Sequence, residues 1–213
     1  MTDKKQLSHK IILLCERLDI AQFISVYIEH LRKRKLHIPA VKIINLGGIG
    51  KMTAVLAAIT SQSWFSEIEK VVLFADATNK RQNREHELYR AQLHSFLKQF
   101  ACYSYFLFPH KTAAGRWQAG FLEDVLLAVL KMETSECCNY YNLKNMTDDF
   151  LLSVNNARGK EHHLVNYSRH FLCTYLAGTS KYAGLRLAEA AQKGAFDLES
   201  EKFKDLREVL MGL

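Results

Sequence analysis

The run Val71-Val72-Leu73-Phe74-Ala75-Asp76 constrains this chain more than any other stretch. Five apolar residues follow one another without a polar interruption, between Glu69-Lys70 and Ala77-Thr78-Asn79. A half-buried strand would alternate; an unbroken run of this length predicts a strand covered on both faces. Such strands lie inside parallel sheets, whose ligands bind outside the carboxyl ends of the strands. Asp76 stands at that end, where a carboxylate meets a metal ion or a phosphate-bearing ligand.

Three further runs predict strands: Ile11-Ile12-Leu13-Leu14-Cys15 closed by Glu16, Val41-Lys42-Ile43-Ile44-Asn45-Leu46, and Tyr103-Ser104-Tyr105-Phe106-Leu107-Phe108 stopped by Pro109. Helical spacing separates them. Ile20, Phe23, Ile24, Tyr27, Ile28 and Leu31 share one face. That helix runs into Arg32-Lys33-Arg34-Lys35, cations suited to the negative end of its dipole. Gly47-Gly48-Ile49-Gly50-Lys51 opens another helix, through about residue 62, and Tyr89, Leu93, Phe96, Leu97 and Phe100 mark a third. The alternation predicts an α/β, Rossmann-like domain over residues 1–132, a mainly parallel sheet flanked by helices. Residues 133–213 lose the strand signal. Segments near 143–154, 161–177, 181–193 and 199–211 read as a helical C-terminal extension of the same compact unit.

The glycine turn and helix around Gly48 and Lys51 look like a phosphate-binding P-loop. Two departures weigh against one. The first glycine of GxxxxGK[ST] falls on Asn45, and the magnesium-ligating hydroxyl falls on Met52. Thr53 is one residue out of phase, a rotation of about 100° around the helix. A glycine turn at a helix start still attracts an anion through its N–H groups.

A second constellation is more coherent. Glu16 ends one strand, Asp76 another, and Glu123-Asp124 open a helix after the fourth. In a parallel sheet these acids share one rim. Gathered carboxylates repel, and a hard cation such as Mg²⁺ relieves the repulsion through their oxygens. Each acid also has a local explanation, in a turn or at a helix dipole.

Leu13-Leu14-Cys15-Glu16, followed by Val72-Leu73-Phe74-Ala75-Asp76-Ala77-Thr78-Asn79, resembles the Toprim domain of topoisomerases, bacterial primases, recombination-repair proteins and OLD-type nucleases. The likeness continues through Phe106-Leu107-Phe108-Pro109, Gly120 to Leu127 and Cys173-Thr174-Tyr175-Leu176-Ala177, which are similar to a family of uncharacterised bacterial Toprim-like proteins. The resemblance implies a Toprim fold. It also implies a Mg²⁺ site built from Glu16, Asp76 and Glu123, with Asp124 beside them, and phosphodiester chemistry on nucleic acid. Lys51 and Arg169 are the expected phosphate contacts. Four departures stand against full activity: Arg17 where the family has glycine, Ile20 where an acid is common, Thr78 for the second aspartate of DxD, and His110-Lys111 after Pro109. The chain therefore reads as a nuclease with a partly lost metal site or, in the alternative, as a non-catalytic nucleic-acid- or protein-binding module. A nucleotide hydrolase is the third reading.

Composition narrows the partners. The net charge of +7 favours an acidic partner such as nucleic acid, although much of it serves a solvated surface. Five cysteines, Cys15, Cys102, Cys137, Cys138 and Cys173, include no CxxC pair and fit a reducing cytoplasm. The apolar run before Glu16 is too short for a signal peptide or a membrane span. His162-His163 with Glu161, His86 and Cys137-Cys138 lack metal-ligand spacing. Arg158 and Lys160 read as exposed helix-end charges, and Trp64, Trp117 and Tyr105 as packing rather than base-stacking residues.

Overall fold

A computed structural model describes residues 10–77, 91, 94–95, 97–98, 100, 102–109, 120–131, 140–158, 164 and 166–213. Thr78, His86, Tyr89, Leu93, Phe96, His110, Lys111, Trp117, Cys137, Cys138, Lys160, Glu161, His162 and His163 lie outside them. The chain divides into two compact units, Met1–Gly120 with Phe203–Leu213, and Phe121–Lys202.

The first unit is built on a four-stranded, all-parallel sheet in the order β2-β1-β3-β4. The strands are β1 (Ile11–Cys15), β2 (Val41–Asn45), β3 (Lys70–Asp76) and β4 (Tyr103–Phe108). Every residue of β1 is buried, and β3 is buried from Val71 onward, as an uninterrupted apolar run requires. Side chains alternate across the sheet. Ile12, Leu14, Val71, Leu73 and Leu107 join one core cluster with Leu56 and Ile59 of α2 (Met52–Thr60) and with Leu97 and Phe100. The opposite parity, Leu13, Val72, Phe74 and Phe106, supplies the other face. There α1 (Leu18–Lys33) buries Ile20, Phe23, Ile24, Tyr27, Ile28 and Leu31, the face its spacing predicts. Phe203 packs its ring 5.6 Å from Phe23 and 5.3 Å from Tyr27.

Parallel neighbours require crossover connections, which are right-handed almost without exception. The chain steps from β1 to β2 in one direction, then passes back over β1 to reach β3 and β4 in the other. The direction reverses between β1 and β3, and the helices fall on both faces. Their carboxyl ends form the topological switch point of the sheet, where open α/β sheets hold their ligands.

The second unit is helical: α3 (Leu122–Ala128), α4 (Tyr140–Arg158), α5 (Tyr167–Ala177) and α6 (Leu187–Gln192). Helix α5 packs against both α3 and α4. A β-carbon on Gly178 would lie 2.7 Å from Leu143 Cδ1, so a side chain there displaces Leu143. Asn166 caps α5 by accepting the Arg169 N–H at 2.9 Å. Helix α6 is shorter than its apolar pattern predicts, because Gly184 turns the chain at φ +75°. The last helix, α7 (Lys204–Met211), belongs to the first unit and buries Leu206 and Leu210. No described helix is long and apolar enough to cross a membrane.

Candidate acid–guanidinium site at the switch point

Glu16 follows β1 and Asp76 ends β3, neighbours in the sheet. The ladder continues past the strand end: the Glu16 N–H donates to the Phe74 carbonyl at 2.9 Å. The half-buried Glu16 side chain folds back, and its Oε2 accepts the Asp76 backbone N–H at 3.0 Å. The two acids, sixty residues apart in the chain, thus meet at one rim.

The glycine turn closes the same rim. The Gly48 N–H donates to the Glu16 carbonyl at 2.8 Å, and the Gly47 N–H to Asn45 Oδ1 at 3.0 Å. The Lys51 N–H donates to the Gly48 carbonyl at 3.1 Å. Gly47 at φ +70° and Gly48 at φ +106° take conformations that favour glycine. A phosphate loop presents its amides to the ligand, whereas here three are already engaged by Glu16, Asn45 and Gly48. The exposed Lys51 side chain crosses Gly47, with Cδ 3.5 Å from the position of a β-carbon there.

The decisive neighbour is Arg17. Its Nε donates to Asp76 Oδ2 at 2.6 Å, and its NH1 lies 3.3 Å from Asp19 Oδ2. The Asp76 side chain is only 6% exposed and that of Arg17 22%. A carboxylate so buried requires a charge partner, and the guanidinium supplies it with a charge-assisted bond. Arg17 adjoins Glu16 at the start of α1, so the backbone alone brings the cation to the acids.

This arrangement does not fit a resident Mg²⁺. The ion takes oxygen ligands near-octahedrally at about 2.0–2.1 Å, and an Asp76 oxygen already faces a guanidinium. Among the described residues no group of three His, Cys, Asp or Glu is placed to hold a metal ion.

The other expected site residues stand in the second unit. Glu123 is fully buried, with Oε1 3.7 Å from Arg169 NH1. Asp124 Oδ2 accepts the Phe121 N–H at 2.9 Å, and its Oδ1 accepts a short hydrogen bond from Ser168 Oγ. Asp124 therefore caps α3 and ties it to α5. Arg169, expected at a phosphate, is the neighbour of Glu123. Trp64 and Tyr105 pack against the core cluster, and Lys42 Nζ lies 4.1 Å from the Trp64 ring centroid.

Arg17 is the member of this site that the acid pattern alone misses. Its signal is a cation following Glu16 where a glycine is expected. No family model, curated protein or solved structure matches the chain.

Proposed function

We propose that the chain is a nucleic-acid-binding module of Toprim-like ancestry that engages phosphates at the switch-point rim without cutting them. The observation that carries this reading is the 2.6 Å Arg17–Asp76 pair. It gives Asp76 a built-in counter-charge, held in the chain rather than supplied by a divalent ion. Asp19 and Asp76 together hold the guanidinium in place beside the glycine turn. The exposed Lys51 ammonium adds a phosphate contact, and the net charge of +7 supplies long-range attraction for a polyanion.

Fluorescence anisotropy with a labelled oligonucleotide tests the reading. Binding persists in excess EDTA, weakens as salt rises, and falls in Lys51→Ala. Absence of binding at low salt refutes it.

The competing reading, a magnesium-dependent nuclease, draws support from the contact between Glu16 and Asp76. It requires Arg17 to leave Asp76. Incubation of supercoiled plasmid with Mg²⁺ or Mn²⁺ separates the two readings: cutting that disappears in Asp76→Asn favours the nuclease.

A further inference from the structure

The helical unit contains a cavity of about 160 Å³ that the switch-point rim does not involve. Leu127, Leu130, Tyr167, Phe171 and Tyr175 give it an apolar, largely aromatic wall. Phe171 and Tyr175 are buried, with stacked rings 5.9 Å apart. An apolar cavity of about 150 Å³ accommodates benzene, so the space here suits one aromatic ring.

Two charged residues of α4, Lys144 and Asp148, complete the lining and are both half-buried. They stand four residues apart, one above the other on a single helix face. Their charges are opposite, yet they do not pair with each other. Asp148 Oδ1 instead accepts the Tyr167 hydroxyl at 2.6 Å, which fixes the carboxylate at the edge of the cavity. Among the described residues no hydrogen bond or ion pair engages the Lys144 ammonium. Burial and the Asp148 hydrogen bond keep the Tyr167 phenol neutral and donating.

We propose that this cavity binds a free aromatic α-amino acid. The ring enters between Phe171, Tyr175 and the two leucines, the α-carboxylate meets Lys144, and the α-ammonium meets Asp148. One apolar body with opposite charges at the same end matches the lining group for group. A simple aromatic acid leaves Asp148 unmatched, and a simple aromatic amine leaves Lys144 unmatched. Pockets for small molecules combine an apolar wall with a few convergent polar groups in this way.

Calorimetric titration of the full chain with L-phenylalanine, 3-phenylpropionate and phenethylamine tests the assignment. Phenylalanine binds saturably, and each one-charge analogue binds roughly tenfold or more weakly, as loss of a charge-assisted bond requires. Lys144→Met weakens phenylalanine by a similar factor and leaves phenethylamine unchanged. Lys144 is half-exposed at the cavity edge, so a matching thermal melt establishes that this variant is folded. No saturable phenylalanine binding up to about 10 mM overturns the proposal. So does equal binding of 3-phenylpropionate, or an unchanged affinity in a folded Lys144→Met.

Discussion

Arg17 Nε donates to Asp76 Oδ2 at 2.6 Å, joining the start of the first helix to the last residue of the third strand. The bond lies where the sheet reverses direction, between β1 and β3. It turns a pair of acids expected to hold a cation into a pair that carries one covalently in the chain.

Arg17→Ala removes that counter-charge and leaves the Asp76 carboxylate buried beside Glu16. Urea unfolding at neutral pH is expected to show a loss of about 3 kcal/mol, since breaking a buried pair strands a charge. Adding Asp76→Asn to Arg17→Ala recovers much of the loss. An Arg17→Ala stability equal to wild type shows the pair to be energetically idle.

Glu16 acts at its carboxyl oxygen. Glu16→Gln keeps an acceptor for the Asp76 N–H, whereas Glu16→Ala leaves that amide without it. The alanine variant is expected to be less stable than the glutamine variant by about 1–2 kcal/mol in the same urea experiment. Equal stabilities show that the hydrogen bond at 3.0 Å contributes nothing.

Most of the first unit was legible because its strands are short apolar runs and its helices have a clear 3.6-residue face. Val71–Asp76 and Ile11–Cys15 read as doubly covered strands because both faces are in fact packed. The adjacency of Glu16 and Asp76 follows from that parallel alignment. The role of Arg17 was not legible, since nothing local reveals which carboxylate a guanidinium will reach. Asp124 was equally ambiguous: an acid in a first helical turn caps, binds a metal, or does neither. Its hydrogen bonds to Phe121 and Ser168 are tertiary facts. Helix α6 was expected to begin too early, because its apolar pattern starts before Gly184, whose positive φ keeps that segment out of the helix.

The cysteines report burial. Cys15 lies fully buried in β1, and burial pushes its thiol well above the ordinary range. Cys102 and Cys173 are exposed. Iodoacetamide labelling of the native chain, mapped by mass spectrometry, is expected to modify Cys102 and Cys173 and to spare Cys15 until denaturant is added. Rapid native labelling of Cys15 contradicts the doubly covered strand.

Tyr167 titrates late. Burial, and then its hydrogen bond to Asp148, push the phenol up to about 12. Below its ordinary value near 10 the group is neutral in both folded and unfolded chains. Between about 10 and 12 the unfolded chain ionises first, so this contribution to stability is lost as pH rises through that window. Ultraviolet titration is expected to lose a late-ionising phenol in Tyr167→Phe. No change in that variant contradicts the assignment.

The central claim is that a guanidinium, not a metal ion, is the counter-charge of Asp76 at the switch point. Calorimetric titration with Mn²⁺ of wild type, Arg17→Ala and Arg17→Ala/Asp76→Asn tests it most directly. The account predicts no saturable binding to wild type at millimolar Mn²⁺, one site in Arg17→Ala, and loss of that site in the double variant. A single Mn²⁺ site in wild type that vanishes in Asp76→Asn contradicts it.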